Sequence, residues 1–214
     1  MIKNIILDFD GVILESNSVK IAGFYELFKE FGEEKAYFIS SYFGSNAGLS
    51  RYDIIKFFFK TYNNEEIDED KLLYYANKYS EIVKTKVVLS DFVPGCKEFI
   101  ENNIDYNLYI VSSSDEKDLK FICNKIEISS YFDAILGSPV KKEINIKNIL
   151  NYYKLDKNET IYIGDSLNDY HATIKNKLTF IGRNSGVYDF NKIEDIIVIK
   201  DLKNLTKIVR TKQC

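Results

Sequence analysis

Six short apolar segments recur along the sequence and restrict the folds that this chain can adopt. Most of them are continuous rather than alternating, which is typical of strands that are covered on both faces of a sheet. Segments with apolar residues at helical spacing lie between them, such as Ile146, Ile149 and Leu150. This alternation predicts an α/β fold built on a doubly wound parallel sheet. The six segments are residues 4–9, 108–111, 134–136, 160–163, 178–181 and 196–199.

The stretch from residue 15 to residue 92 breaks this alternation. Its apolar residues keep helical spacing throughout, and it contains 17 of the 31 phenylalanine and tyrosine residues. Aromatic side chains bury enough area for a small helical bundle to fill its own core. We therefore predict a core domain of residues 1–14 and 93–214, with a helical domain of residues 15–92 inserted after the first strand.

The charge balance and the distribution of apolar residues exclude several classes of function. The chain has 29 Lys and Arg residues against 32 Asp and Glu residues, so there is no basic excess to neutralise a polyphosphate backbone. No stretch approaches the roughly 18 apolar residues of a membrane span, and the first apolar segment is shorter than the hydrophobic part of a signal peptide. We expect a cytoplasmic protein with no nucleic-acid or membrane partner. The oligomeric state stays open, and a monomer is compatible with the sequence.

Cysteine and histidine contribute little to the candidate chemistry. Cys96, Cys123 and Cys214 are odd in number and lack CxxC spacing, so neither a disulfide framework nor a structural zinc site is indicated. The single histidine, His171, excludes sites built from several histidines, and we interpret it as an ordinary helix residue. Any chemistry must therefore use carboxylates, hydroxyls and lysines.

Polar side chains with possible chemical roles follow several of the predicted strands. Asp8 and Asp10 end the first segment, and a serine run at residues 112–114 ends the second. Asp165 follows the fourth segment, with Asp169 four residues later. Each signal alone has a commoner explanation, namely an acidic turn or a helix N-cap. Because ligands bind at the carboxyl ends of parallel strands, the signals together predict one site.

A lysine from the pair Lys141 and Lys142 would complete this set. Several carboxylates packed together repel one another unless a divalent cation lies among them, and all-oxygen ligation favours Mg²⁺. The lysine and the serine hydroxyls would balance the oxygens of a bound phosphate. The residues alone therefore indicate a site with a nucleophile, an acid, a metal ion and anion-binding groups.

With these four motifs in order, the chain resembles the haloacid dehalogenase-like superfamily of phosphohydrolases, in the branch with a helical cap inserted after the first motif. The resemblance spans nearly the whole chain. It implies that residues 15–92 form the cap, a name that we keep below, and that the core domain is catalytic. It also implies a Mg²⁺-dependent phosphatase that hydrolyses a small phosphorylated metabolite, such as a sugar phosphate, phosphoglycolate or a nucleotide, through an aspartyl-phosphate.

The resemblance assigns roles to the acidic residues. Asp8 would be the nucleophile, and Asp10 would serve as general acid and then general base. Mg²⁺ would be bound by Asp8, the backbone carbonyl of Asp10, Asp165 and Asp169, the last directly or through water. An aspartate two residues after the nucleophile also favours phosphate esters over the substrates of the related dehalogenases, phosphonatases and transport ATPases.

The resemblance also assigns the groups that would hold the phosphate. These are Ser112, Ser113 and one lysine of the pair. We prefer Lys142 to Lys141 because it follows Pro139 by three residues, as the motif lysine does in relatives that read Gly-Ser-Pro before this position.

The alternative function is a phosphomutase of the beta-phosphoglucomutase type. Residues 48–51 are similar to the Gly-x-Ser-Arg of those mutases, whose arginine grips the non-reacting phosphate, although Arg51 could equally be a solvated residue at a helix start. The chain has Lys20 where the mutases have a histidine, and Gly164 where they have a glutamate. Both departures argue against mutase activity.

Two non-enzymatic readings have less support in the sequence. A phospho-receiver carries its accepting aspartate at the end of a later strand, whereas Asp53 lies in a helical pattern. A binding protein without activity would lack one of the motif acids, and none is missing. We further expect the Gly- and Ser-rich residues 44–51 to set substrate choice, and residues 14–17 and 92–95 to form the hinge of the cap.

Overall fold

The computed structural model describes residues 1–102 and 105–211, without the side chain of Asn63. The strands in this part of the chain are β1 Asn4–Leu7, β2 Asn107–Asp115, β3 Ala134–Ser138, β4 Thr160–Gly164, β5 Thr179–Arg183 and β6 Ile197–Ile199. They form one sheet in the order β3-β2-β1-β4-β5-β6, with all neighbours parallel. The six predicted strands are present, and the doubly wound parallel α/β fold is confirmed.

Nine α-helices surround or extend this sheet within the described residues. They are α1 Asn17–Phe28, α2 Glu33–Ser45, α3 Arg51–Asn63, α4 Glu69–Val88, α5 Cys96–Glu101, α6 Glu116–Lys125, α7 Lys142–Tyr152, α8 Leu167–Lys175 and α9 Leu205–Thr211. Apolar residues of α5, α6 and α9 join the core on one face of the sheet, and those of α7 and α8 join the core on the other face. The helices therefore cover both faces, as a doubly wound sheet requires.

The central strand β1 explains why the apolar segments are continuous. Ile5 and Leu7 belong to the apolar cluster that includes α5 and α6, whereas Ile6 belongs to the cluster that includes α7 and α8. All three side chains are fully buried. Burial of such a side chain stabilises the fold by about 1.5–3 kcal/mol, so both faces of the strand select apolar residues.

The order of the strands reverses at β1. The chain adds β2 and β3 on one side of this strand and then β4, β5 and β6 on the other. Parallel sheets bind ligands in the crevice at such a switch point, outside the carboxyl ends of the strands. The residues that follow β1 and β4 are therefore brought together.

The cap helices α1 to α4 lie between β1 and α5 in the chain and are joined by aromatic packing. The ring of Phe28 is stacked on Phe58 with centroids 3.8 Å apart, and Phe24 is stacked on Tyr79 at 4.2 Å. The two chain segments that connect the cap to the core lie side by side, because Glu15 N–H donates to the carbonyl of Asp91 at 2.9 Å. The domain boundaries near these segments stay a prediction.

We predict that Phe28→Ala lowers the free energy of unfolding by about 3–5 kcal/mol, because Phe28 is fully buried and the substitution leaves a cavity among stacked rings. Urea unfolding followed by tyrosine fluorescence and circular dichroism measures the change. Tyr37→Ala is the matched control, since Tyr37 is 65% exposed and its loss should change stability by about 0.5 kcal/mol or less. Equal effects of the two substitutions would contradict an aromatic core in the cap.

Candidate active site

Two neighbouring strands and one helix bring three carboxylates together. Asp8 directly follows β1, and its N–H donates to the carbonyl of Ile163 in β4 at 2.9 Å. Asp165 directly follows β4, and Asp169 lies in the first turn of α8. Each of the three side chains offers a carboxylate oxygen within 4.8 Å of the other two, and all three are buried. The predicted meeting of Asp8 with Asp165 is therefore observed.

Asp169 is positioned by the start of its helix. The Ser166 side chain caps α8 by accepting from the Asp169 N–H, while the Ser166 N–H donates to Asp169 Oδ2 at 3.0 Å. This capping box satisfies free backbone groups at the helix end. The hydroxyl of Tyr162 lies 2.9 Å from Asp169 Oδ1. The Asp169 carboxylate is thus engaged on both oxygens.

Lys142 contacts two of the three carboxylates. It is the first residue of α7 and is buried, with Nζ 3.1 Å from Asp8 Oδ1 and hydrogen-bonded to Asp169 Oδ1. Lys141 precedes the helix and is exposed. The structure therefore places Lys142, rather than Lys141, in the candidate site.

Asp10 lies beside this cluster with a different set of partners. Its Oδ1 accepts a hydrogen bond from Ser16 Oγ, and its Oδ2 accepts one from Ser114 Oγ, both at 2.6 Å. Lys20 Nζ lies 3.3 Å from Oδ2 and also donates to Ser114 Oγ at 2.7 Å. Burial acts to raise the pKa of Asp10, but the charge of Lys20 and the two hydroxyl donors outweigh it and lower the pKa below its ordinary value.

The turn between Asp10 and the cap requires glycine. Gly11 has φ of +72°, and a Cβ atom at this position would lie 2.0 Å from Asp165 Oδ2. The same carboxylate oxygen accepts hydrogen bonds from Asn17 Nδ2 at 2.8 Å and from Ser185 Oγ at 2.7 Å. The glycine therefore lets the Asp165 carboxylate and the first cap helix approach the turn after β1.

The serine run at the end of β2 divides its contacts between the core and the cap. Ser112 is buried, lines the cavity beside Asp8, and accepts from the Ser114 N–H at 3.1 Å. Ser113 Oγ donates to the carbonyl of Gly48 in the cap at 2.5 Å. The two serines predicted to bind phosphate therefore differ, since only Ser113 already holds a cap contact.

The cap covers the site and leaves a cavity of about 40 Å³. The loop after α2 lies over the core, where the Gly48 carbonyl also accepts a hydrogen bond from Asn168 Nδ2. Within the predicted substrate segment 44–51, the cavity is lined by Ala47, Gly48, Leu49 and Arg51. This volume matches only a few water molecules, so a substrate with several carbon atoms requires the cap to move.

Arg51 lines the cavity but is paired with a carboxylate of the core. Its Nη2 lies 2.6 Å from Asp118 Oδ2, and its Nη1 donates to the carbonyl of Ala76 at 3.1 Å. The guanidinium also lies over the ring of Tyr79, 5.3 Å from the centroid. The side chain is buried, so the alternative of a solvated helix-start residue does not describe its position.

Gly164, at the end of β4, packs closely against Asp169. A Cβ atom at this position would lie 2.3 Å from the Asp169 Cβ. The local structure therefore has no room for the glutamate that the mutases carry here. His171 is exposed on α8 and contacts the ring of Tyr170, in keeping with its interpretation as an ordinary helix residue.

Several contacts of the site were not predicted from the sequence. Ser16 and Asn17 were included only in the hinge, and Lys20 only as the position of the mutase histidine. All three lie at the start of the cap and contact Asp10 or Asp165. Ser185 follows β5 by two residues. The strand-end rule that found Asp165 applies equally to Ser185, whereas the role of the first cap helix could be read only from its packing.

Electrostatics in the cluster fit a divalent cation. Burial, reinforced by the charge of Asp169, raises the pKa of Asp8 well above its ordinary value and that of Asp165 to about 7. Asp8 Oδ1 is buried and makes no hydrogen bond, although Lys142 lies at ion-pair distance. Three carboxylates with one lysine, which contacts Asp8 and Asp169, form an all-oxygen donor set with excess negative charge, which suits Mg²⁺.

Comparisons with known proteins agree with this arrangement. Residues 5–182 match the family model of haloacid dehalogenase-like hydrolases, and the chain belongs to this family. A hydrolase from Pseudomonas syringae superposes with a TM-score of 0.78 at 16% identity, covering 98% of each chain. A beta-phosphoglucomutase from Clostridium difficile gives 0.77 at 16% identity, covering 99% of this chain and 97% of the other. A protein from Haemophilus somnus described as a predicted phosphoglycolate phosphatase gives 0.74 at 17% identity, covering 97% of each chain.

The comparison with curated proteins found no match to this chain. Separately, among the described residues none of the helices has the length and apolar character needed to cross a membrane. The family assignment therefore depends on the family model and on the fold.

The raised pKa of Asp165 predicts a pH dependence of stability in the absence of metal. Its pKa is about 7 in the folded protein and near 3.8 ordinarily, so the folded state binds the proton more tightly. Stability should therefore fall as the pH rises from about 4 to about 7. Asp165→Asn removes this titration and should gain stability relative to the wild type over that range, on the order of a few kcal/mol. Urea unfolding in EDTA at several pH values measures the difference, and a difference that does not vary with pH would contradict the assignment.

Proposed function

We propose that this protein is a Mg²⁺-dependent phosphatase that hydrolyses a small phosphorylated metabolite through an aspartyl-phosphate on Asp8. The observation that carries the proposal is the cluster of Asp8, Asp165 and Asp169, in which Lys142 contacts Asp8 and Asp169, and Asp8 and Asp165 line the cavity. Membership of a hydrolase family with structural neighbours described as phosphatases supports the same class of reaction. A cytoplasmic location stays a prediction from the sequence.

Asp8 is the candidate nucleophile because it is fixed at the end of the central strand and borders the cavity. Attack by its carboxylate on phosphorus would transfer the phosphoryl group and release the alcohol. Water would then attack the acyl phosphate, which releases inorganic phosphate and restores the carboxylate. Lys142, 3.1 Å from Asp8 Oδ1, would hold the carboxylate in place and contact the transferring phosphoryl group.

Asp165 and Asp169, together with Asp8 and the backbone carbonyl of Asp10, would hold Mg²⁺. The ion would neutralise charge between the nucleophilic carboxylate and the phosphate dianion, which otherwise repel each other. The fit depends on the buried, closely spaced carboxylate oxygens described above. Ser112 and Ser113 would donate to phosphoryl oxygens, and for Ser113 this requires exchange of its bond to Gly48.

Asp10 is placed for proton transfer on the cap side of the nucleophile. As general acid it would give a proton to the departing oxygen, and as general base it would take one from the attacking water. Ser16, Ser114 and Lys20 fix its carboxylate and stabilise the ionised form. With the cap closed, Asp10 is therefore suited to act as general base, which requires the ionised carboxylate. To act as general acid, Asp10 must first take up a proton before or during substrate binding.

The phosphomutase alternative has specific observations for and against it. Arg51 lines the cavity, as a residue that holds a second phosphate would. Its guanidinium is already paired with Asp118, Lys20 occupies the position of the mutase histidine, and Gly164 leaves no room for a glutamate. These contacts favour hydrolysis over transfer between two positions of a sugar.

We predict that Asp8→Asn lowers phosphate release by about 1,000-fold or more, because an amide cannot form the acyl phosphate. EDTA should abolish release by the wild type, and added Mg²⁺ should restore it. A malachite-green assay over a panel of phosphorylated metabolites measures both. Asp70→Asn is the control, since Asp70 is exposed in the first turn of α4, does not line the cavity, and should retain full activity. Turnover by Asp8→Asn near the wild-type rate would refute the nucleophile assignment.

The products separate the two candidate reactions. Incubation of the enzyme with a hexose phosphate and Mg²⁺ should yield inorganic phosphate and free sugar, because Arg51, the candidate to hold a second phosphate, is paired with Asp118. Phosphorus NMR of the mixture distinguishes these products from an isomeric sugar phosphate. Accumulation of the isomer without inorganic phosphate would establish the mutase instead.

A further inference from the structure

We propose, on the basis of the phosphatase function above, that the enzyme selects phosphate esters whose leaving group is small and carries no second negative charge. We further propose that Asp118 enforces this choice by neutralising Arg51.

Three cationic side chains line the cavity among the residues that the structure describes: Lys20, Arg51 and Lys142. Each of them already faces a carboxylate. The pairs are Lys20 with Asp10 at 3.3 Å, Arg51 with Asp118 at 2.6 Å, and Lys142 with Asp8 at 3.1 Å and with Asp169. Lys142 lies beside the nucleophile, and Lys20 is held by both Asp10 and Ser114, the residues that surround the proton-transfer position. Arg51 is therefore the cation that remains for an anionic leaving group, and Asp118 holds it.

The charge balance leads to the same conclusion. With Lys84, which lies 3.9 Å from Asp118, four cations face five carboxylates in and immediately behind the cavity wall, and a bound divalent cation would leave this group with one positive charge. The phosphate ester then adds its own negative charge. A carboxylate or second phosphate on the leaving group would lie in this buried site without a counter-charge, which is strongly unfavourable.

The Asp118 carboxylate is built into a network that keeps it ionised and in place. Ser80 Oγ in α4 lies 2.7 Å from both of its oxygens, and Lys84 Nζ lies 3.9 Å from Oδ1. Asp118 belongs to α6 of the core, whereas Arg51 and Ser80 belong to the cap. The pair therefore forms when the cap is closed, at the moment when the leaving group is selected.

The remainder of the cap wall suits an uncharged group. Phe24, Phe43 and Leu49 line this side of the cavity, and the Phe24 ring packs on Phe43 with centroids 4.7 Å apart. The hydroxyl of Tyr79 is already used, because it donates to the carbonyl of Lys20 at 3.0 Å. Because the cavity is only about 40 Å³, a larger leaving group requires a larger displacement of the cap, which favours a leaving group of a few carbon atoms.

A pair of matched substrates tests this selection. Phosphoglycolate and 2-hydroxyethyl phosphate have similar size and differ in carrying a carboxylate or a hydroxymethyl group. Glycerol 3-phosphate and 3-phosphoglycerate form a second pair, and p-nitrophenyl phosphate is the reference ester. We expect kcat/KM of the wild type to be at least about tenfold higher for the uncharged member of each pair.

Asp118→Asn separates the role of Arg51 from simple size selection. Asparagine keeps the shape and can bond to Ser80, but it releases the Arg51 guanidinium to bind an anion. The preference for the uncharged member should therefore fall by about tenfold, and Asp118→Asn with Arg51→Gln should restore it. Glu81→Gln removes one exposed negative charge next to Ser80 and should leave the preference unchanged.

The wild-type comparison gives a test that does not depend on the stability of Asp118→Asn. A wild-type preference for the anionic member of either pair would overturn this inference and leave the phosphatase function intact. Arg51→Gln leaves the Asp118 carboxylate without its guanidinium partner, so the preference for the uncharged member should be kept or increased, and a fall in that preference would also overturn the inference. Absence of phosphate release from every ester, including p-nitrophenyl phosphate, would overturn both.

Discussion

The repulsion among the buried carboxylates of Asp8, Asp165 and Asp169 is the constraint on which the site depends. Oxygens of these groups lie within 4.8 Å of one another, so each pair of charges costs about 3 kcal/mol or more at an effective dielectric constant near 20. Among the described residues, Lys142 is the lysine that contacts this cluster, at Asp8 and Asp169. The backbone holds the acids in place, because Asp8 and Asp165 follow adjacent strands and Asp169 belongs to the capping box at the start of α8. Such a rigid arrangement stores electrostatic energy that a divalent cation would release.

The closed cap is assembled from polar contacts to the same strand ends that carry the acids. Lys20 contacts Asp10, and the carbonyl of Gly48 accepts from Ser113 at the end of β2. Further out, Tyr52 donates to Asp115 at 2.7 Å, and Arg51 pairs with Asp118. Since a phosphoryl group would compete for some of these donors, substrate binding and cap position are coupled. The same contacts between the cap and the strand ends keep the cavity small, so the cap must move before a substrate can enter.

The sequence predicted the sheet and the acids well, because both obey local rules. Continuous apolar segments are typical of strands buried on both faces, and the acids follow directly after such strands, as Asp8 and Asp165 show. Contacts between the cap and the core could not be predicted in the same way. Arg51 matched a short motif, but its partner Asp118 is 67 residues away in the chain and belongs to an ordinary amphipathic helix. The two meet because α4 packs against both α3 and α6.

Asp8, Asp165 and Asp169 differ in how many of their carboxylate oxygens are already hydrogen-bonded, and they would therefore contribute differently to binding a metal ion. Both oxygens of Asp169 are engaged, Oδ1 by Lys142 and Oδ2 by Ser166, so this residue has little freedom to bind an ion directly. Asp165 receives its hydrogen bonds on Oδ2, and Asp8 Oδ1 makes none. Asp8 and Asp165 are therefore the two acids with the fewest hydrogen bonds to give up, and they would hold a cation together with Asp169. Asp169 would then contribute its charge and the position of Lys142, while the other two acids supply the ligand oxygens.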